Sequence, residues 1–187
     1  MTPVCYISVD IETAGPAPSR YPLLSIGACL VENTQQSFYV ELQPDLDQID
    51  RAALAVSGLD PQQLRSTGSE PAQALTEFAD WVHSATPDGA APVFVAYNAP
   101  FDWMFVQDYF QRYKIVNPFG HAALDIKALA MGLLAIDWMD TAMSSVAARL
   151  ETSISLSHNA LEDARDQALL FRHLLGKMES KAGCAEP

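Results

Sequence analysis

Apolar positions along the chain follow two periodicities, which divide it into a strand-rich first third and a mainly helical remainder. Residues 4–9 read Val-Cys-Tyr-Ile-Ser-Val, β-branched and aromatic, and predict a buried strand that delivers Asp10 to its C-terminal end. Gly15, Pro16 and Pro18 then break the chain into a loop. Residues 24–31 and 38–42 read as two more strands joined through Glu32, Asn33 and Thr34, so three successive antiparallel strands are expected.

Helical spacing takes over from there. Residues 50–56 predict a short amphipathic helix, and residues 69–84 a longer one with Ala72, Leu75, Phe78, Ala79 and Val82 three and four apart. Residues 93–97 (Val-Phe-Val-Ala-Tyr) predict a fourth strand, after which Pro100 suits the first turn of a helix reaching about residue 113. That places Asp102 at a helix start. Residues 122–125 read as a short fifth strand before a helix over 126–134, and a last stripe predicts a helix over 161–178. This order implies an α/β fold: a mixed five-stranded sheet, three antiparallel strands first, with helices packed on it.

Composition narrows the picture. With 187 residues, 49% of them hydrophobic, the chain can bury one substantial core, read as a single domain over residues 1–180 with a short tail at 181–187. Cys5, Cys29 and Cys184 are odd in number and far apart, which speaks against a disulfide framework or a paired-cysteine zinc site and favours a reducing cytoplasm. No apolar run suggests a signal peptide or a membrane span; residues 128–136 are too few to cross a bilayer. The net charge of −12 opposes a long, tightly held nucleic-acid track, because such tracks rely on basic surfaces that release counterions. Bound divalent cations would reverse the potential locally, so the charge restricts the substrate more than the chemistry.

Three segments carry candidate chemistry. Asp10-Ile11-Glu12 sets two carboxylates at alternate positions of an extended segment, on one side of it. Asn98-Ala99-Pro100-Phe101-Asp102 puts an acid in a first helical turn, and His158-Asn159-Ala160-Leu161-Glu162-Asp163 sets a histidine before the last helix with an acid inside it. Alone, each has a plain account: a solvated strand end, dipole-favourable charge, a capping histidine. Together they make the ingredients of phosphodiester hydrolysis. Carboxylate oxygens suit Mg2+ or Mn2+, two such ions about 3.5–4 Å apart can clamp the attacking and leaving oxygens, and a histidine can activate the water.

In these motifs the chain resembles the DEDDh 3'-5' exonucleases of the ribonuclease H-like fold, a family that includes ribonuclease T, oligoribonuclease and the epsilon-like proofreading subunit of DNA polymerase III. Val9-Asp10-Ile11-Glu12-Thr13 is similar to the first motif, Ser25-Ile26-Gly27-Ala28 to the strand after it, Tyr97 to Asp102 to the second motif and His158 to Ala164 to the third. The resemblance spans nearly the whole chain. It implies that Asp10 bridges two metals, that Glu12 and Asp163 hold the one on the side of the water, that Asp102 supports the other through water, and that His158 is the general base. It also implies that Thr13 and the backbone after Glu12 meet the terminal nucleotide, while Asn98 and Phe101 shape the pocket. Arg20, in the loop over residues 15–22, is a candidate phosphate contact. Ala96-Tyr97 departs from the glycine-histidine pair of many relatives, which leaves the metal ligands untouched and alters the pocket.

The resulting expectation is a single-stranded 3' end as substrate, RNA or short oligonucleotides ahead of DNA, with Lys127 or Arg20 assisting and release after each cut. A proofreading role or a non-catalytic binding module ranks lower, and a homodimer is left open. His83 and His173 read as packing or surface residues, Asp125 as a helix cap, and Trp81, Trp103 and Trp138 as core.

Overall fold

Backbone pairing gathers the predicted strands into one sheet, seen in a computed structural model that describes residues 2–154 and 157–183; Cys184 and the rest of the tail's end lie outside them. Strands β1 (Val4–Thr13), β2 (Leu23–Leu30), β3 (Ser37–Glu41), β4 (Ala91–Ala96) and β5 (Ala123–Asp125) lie in the order β3-β2-β1-β4-β5. The first three are antiparallel neighbours, and β4 and β5 add in parallel. Helices α1 (Arg51–Ser57), α2 (Pro61–Thr67), α3 (Pro71–Ala85), α4 (Ala99–Arg112), α5 (Ile126–Leu134), α6 (Met143–Arg149) and α7 (Ala160–Gly183) complete the described chain. The expected architecture is thus present.

Strand β1 extends beyond the expected residue 9 because β2 continues to pair with it, opposing Asp10 to Gly27 and Glu12 to Ser25 before the register shifts at Thr13. Both acids therefore sit within a paired strand. Helices α2 and α6 and a 3-10 turn over Trp138–Asp140 were not among the expected elements. A capping signal for α2 was nonetheless legible: Asp60 accepts from the Gln62 N–H, and Pro61 follows it.

Alternation along the strands makes two apolar layers. Ile7, Val9, Ile11, Phe94 and Ala96 face a core built with α3 and α4, whereas Val95 and Cys29 face one built with α5, α6 and α7. The period of two puts Asp10 and Glu12 on the α7 side. Trp81 and Trp103 pack against the first core as expected. Trp138 does not: it is 51% exposed on its 3-10 turn, with the Lys127 ammonium 4.2 Å from its ring centroid. His83 and His173 are exposed.

Candidate active site

Two neighbouring positions on β1 and one on α7 form the centre of the site. Helix α7 can approach the sheet because Gly27, opposite Asp10 on β2, has no side chain; a Cβ there would lie 2.2 Å from the carbonyl carbon of Ala160 and from the nitrogen of Leu161. The approach brings Asp163 onto the β1 acids. One carboxylate oxygen each from Asp10, Glu12 and Asp163 lies within 4.8 Å of the others.

The loop before α7 is organised around Asp163. Its Oδ1 accepts from the backbone N–H and the hydroxyl of Ser157, at 2.9 and 3.0 Å, and its Oδ2 accepts from the His158 N–H at 3.1 Å. These bonds tie the histidine to the acid five positions on. His158 adopts a left-handed backbone (φ 55°) and leaves its side chain exposed, while Asn159 Oδ1 caps α7 by accepting from the N–H groups of Leu161 and Glu162.

Asp102 reaches the site from the first turn of α4 and is 4% exposed. The turn into α4 is made by Asn98, also left-handed (φ 67°), whose N–H donates to Asp125 Oδ1 at 3.0 Å, with the Ala99 N–H donating to the same oxygen at 3.2 Å. Asp125 is the expected cap of α5, since that oxygen also accepts from the Lys127 N–H. One carboxylate therefore joins the starts of two helices.

Gln167, one turn beyond Asp163, was not singled out from the sequence, although its four-residue spacing puts it on the same helical face. Its Nε2 donates to Asp10 Oδ1 at 2.5 Å, and its Oε1 accepts from the Tyr97 N–H at 2.9 Å. The amide orients Asp10 and joins it to the end of β4.

Electrostatically, the cluster resists its own charge. Burial, then the charges of Asp102, Glu12 and Asp163, hold the Asp10 carboxyl well above the usual carboxylate range, partly opposed by Gln167. Burial and then Asp163 push Glu12 up to about 7. Asp102 is also raised well above its ordinary value, chiefly by burial, with its own N–H and that of Ile11 working against the shift. All the donors are hard oxygens, which fit a hard divalent cation that would offset this repulsion.

The remaining predicted residues lie around this centre in different ways. Thr13 is 6% exposed and its hydroxyl donates to the Gly15 carbonyl, so the side chain shapes the turn after Glu12. Phe101 is partly buried against the first core, its ring 5.4 Å from that of Phe105, and Asn98 is exposed. Arg20 is exposed on a loop fastened at several points: Ala14 N–H to Pro22 O at 2.9 Å, Arg112 Nη2 to Pro18 O at 2.6 Å, and Leu23 N–H to Tyr109 Oη at 2.8 Å.

A five-stranded mixed sheet that gathers carboxylates from its central strand and two helices is the arrangement of nucleases of the ribonuclease H-like fold, and its acidic cluster suits divalent metal. Residues 5–175 match the model of the Rv2179c-like 3'-5' exoribonuclease domain, and the chain belongs to that family of DEDDh 3'-5' exonucleases, which hydrolyse phosphodiester bonds. A protein of Escherichia coli named 3'-5' DNA exonuclease Cap18 is 40% identical over 176 residues, covering 94% of each chain. Ribonuclease T of Pectobacterium atrosepticum is 29% identical, over 95% of this chain and 84% of its own. In fold, the chain is similar to the nuclease domain of 3'hExo bound to rAMP, with a TM-score of 0.77, 15% identity and 92% of each chain covered. Among the described residues no helix is long and apolar enough to cross a membrane.

Proposed function

We propose that the protein hydrolyses the last phosphodiester bond at the 3' end of single-stranded nucleic acid, RNA and short oligonucleotides foremost, and releases nucleoside 5'-monophosphates. The observation that carries this reading is the meeting of Asp10, Glu12 and Asp163 oxygens within 4.8 Å of one another. Asp10, flanked by the other acids, would bridge two ions; Glu12 and Asp163 would hold the one beside the attacking water. Asp102 would support the second through water. When bound, a pair of Mg2+ or Mn2+ ions supplies Lewis acidity at the attacking and leaving oxygens.

His158 takes the proton of the attacking water in this reading. The residue is exposed, and its backbone N–H is pinned to Asp163 at 3.1 Å, which supports this role. Arg20 is free to meet a phosphate, while Asn98, Phe101 and the backbone around Thr13 border the terminal nucleotide. A second reading, with DNA ends as substrate, is favoured by the 40% identical relative, named a DNA exonuclease.

Matched RNA and DNA oligonucleotides labelled at either end, digested with Mg2+ or Mn2+, test both readings. The expected result is mononucleotide release from the 3' end, stopped by chelator. Internal cleavage, or release from the 5' end, would refute the proposal; the ratio of RNA to DNA rates decides between the readings.

A further inference from the structure

An aromatic and a cation lie together on segments that a chain of hydrogen bonds joins to the frame of the site. Trp138 stands on the 3-10 turn, 51% exposed, and the Lys127 ammonium is 4.2 Å from its ring centroid. Neighbouring Met139 is 86% exposed. Thr141 closes the turn, its hydroxyl donating to the Trp138 carbonyl at 2.6 Å, and its own carbonyl accepts from the Tyr97 hydroxyl at 2.8 Å. Tyr97 in turn donates its N–H to Gln167, which holds Asp10. Lys127 is tied in separately, because Asp125 Oδ1 receives the N–H groups of Lys127, Asn98 and Ala99. Both members of the pair are thus anchored to the segment that turns from β4 into α4.

The pair carries one ammonium beside acids that flank the indole in the chain, Asp137 and Asp140, of which Asp140 is matched by Arg149. Among the described residues Lys127 makes no ion pair, whereas Arg65, Arg112, Arg149 and Arg165 each do, and the Arg149 partner is Asp140 of the same 3-10 turn. The Lys127 ammonium is thus held over a half-exposed indole and not by a carboxylate among the described residues. An indole face accepts any base, and an adjacent ammonium can meet the phosphate linked to it.

We propose that Trp138 and Lys127 form a subsite for a nucleotide upstream of the 3'-terminal one, the base stacking on the part of the indole that Lys127 leaves open and a phosphate of the strand meeting the ammonium. The proposal rests on the single-stranded exonuclease reading above and adds what grips the strand outside the acids. Its chemistry is indifferent to base identity and to the 2' hydroxyl. Grip at one stacked base and one phosphate needs no basic track, which suits a chain of net charge −12.

The test is an abasic scan. Fluorescence anisotropy is measured with 5'-labelled single-stranded hexanucleotides, each carrying one abasic residue at a different position, on an Asp10→Asn background that removes turnover. The Asp10→Asn protein is expected to bind less tightly, by about tenfold, when one particular internal base is missing. Adding Trp138→Ala should weaken the intact hexanucleotide by the same factor and remove the sensitivity at that position, and Trp138→Phe should restore much of it. Lys127→Ala should reduce the slope of log affinity against log salt by about 0.7, while Lys177→Ala, on α7, leaves it unchanged. Unchanged affinity in Trp138→Ala, or a loss that leaves the positional pattern intact, overturns the proposal. Mononucleotide release by the wild-type protein is read in parallel, so a catalytically silent protein with a normal scan refutes the exonuclease reading and leaves the subsite standing.

Discussion

Gly27 and Ala160 approach so closely that a methyl group on the glycine would lie 2.2 Å from the alanine's carbonyl carbon. Because Gly27 pairs with Asp10 and Ala160 opens the helix that carries Asp163, this contact sets how far the third motif stands from the first. Gly27→Ala should therefore displace α7, with a loss of about 1–3 kcal/mol from overpacking. Activity should fall further than stability, since a shift of about 1 Å at reacting groups can cost about 10²-fold in rate. Thermal melts beside initial rates measure the two losses; an unchanged kcat in a folded Gly27→Ala protein would deny the contact this role.

Metal dependence should be strict. Asp10→Asn and Asp163→Asn each remove a charge from a cluster that has oxygen donors only, and each should lower kcat by several orders of magnitude in a protein that still folds. Activity in excess EDTA, compared with activity after Mg2+ or Mn2+ is restored, checks the dependence. Full activity in the chelator would rule out the metal mechanism.

His158→Ala is expected to slow the chemical step by about 10²- to 10⁴-fold while divalent metal still binds. Single-turnover rates at saturating metal, with calorimetric metal titration, separate the roles. A variant that loses metal affinity yet keeps its saturated rate would make His158 a ligand.

The raised Glu12 carboxyl makes metal-free stability fall with pH. Folding moves this group from an ordinary value near 4.5 to about 7, so its contribution is fully present below 4.5 and is lost as pH rises through about 7, where the folded protein must release the proton too. Asp10 and Asp102 are shifted in the same direction. Melting temperature without metal should thus be lower at pH 8 than at pH 5.5, and added Mg2+ or Mn2+ should raise it more at pH 8. The opposite order of stabilisation would show that the cluster is not where the cation binds.

Cleavage should be distributive with a shallow salt dependence. The net charge of −12 and the scatter of the basic residues along the chain, four of them held in ion pairs (Arg65, Arg112, Arg149 and Arg165), argue against a grip on many phosphates. Each contacted phosphate on a single strand would add about −0.7 to the slope of log affinity against log salt. Product ladders from end-labelled RNA with excess unlabelled trap, at two salt concentrations, measure both properties. Processive ladders that survive the trap would reveal a basic track assembled by the fold.

Local chemistry made much of this legible from the sequence. Alternation at residues 4–13 puts Asp10 and Glu12 on one side of a strand whatever surrounds it, and the proline after Asn98 places Asp102 in a first helical turn; neither depends on distant residues. The order of strands and helical stripes likewise implied the mixed sheet. Short-range signals carry no information about which distant groups meet. Tertiary structure alone decided that Gly27 admits α7, that Gln167 spans from Asp10 to Tyr97, that Asp125 binds the turn into α4 as well as its own helix, and that Trp138 stays at the surface under Lys127. Those relationships join segments apart in the chain, and their physical basis is close packing and hydrogen bonding between elements, which exist only once the sheet and its helices have come together.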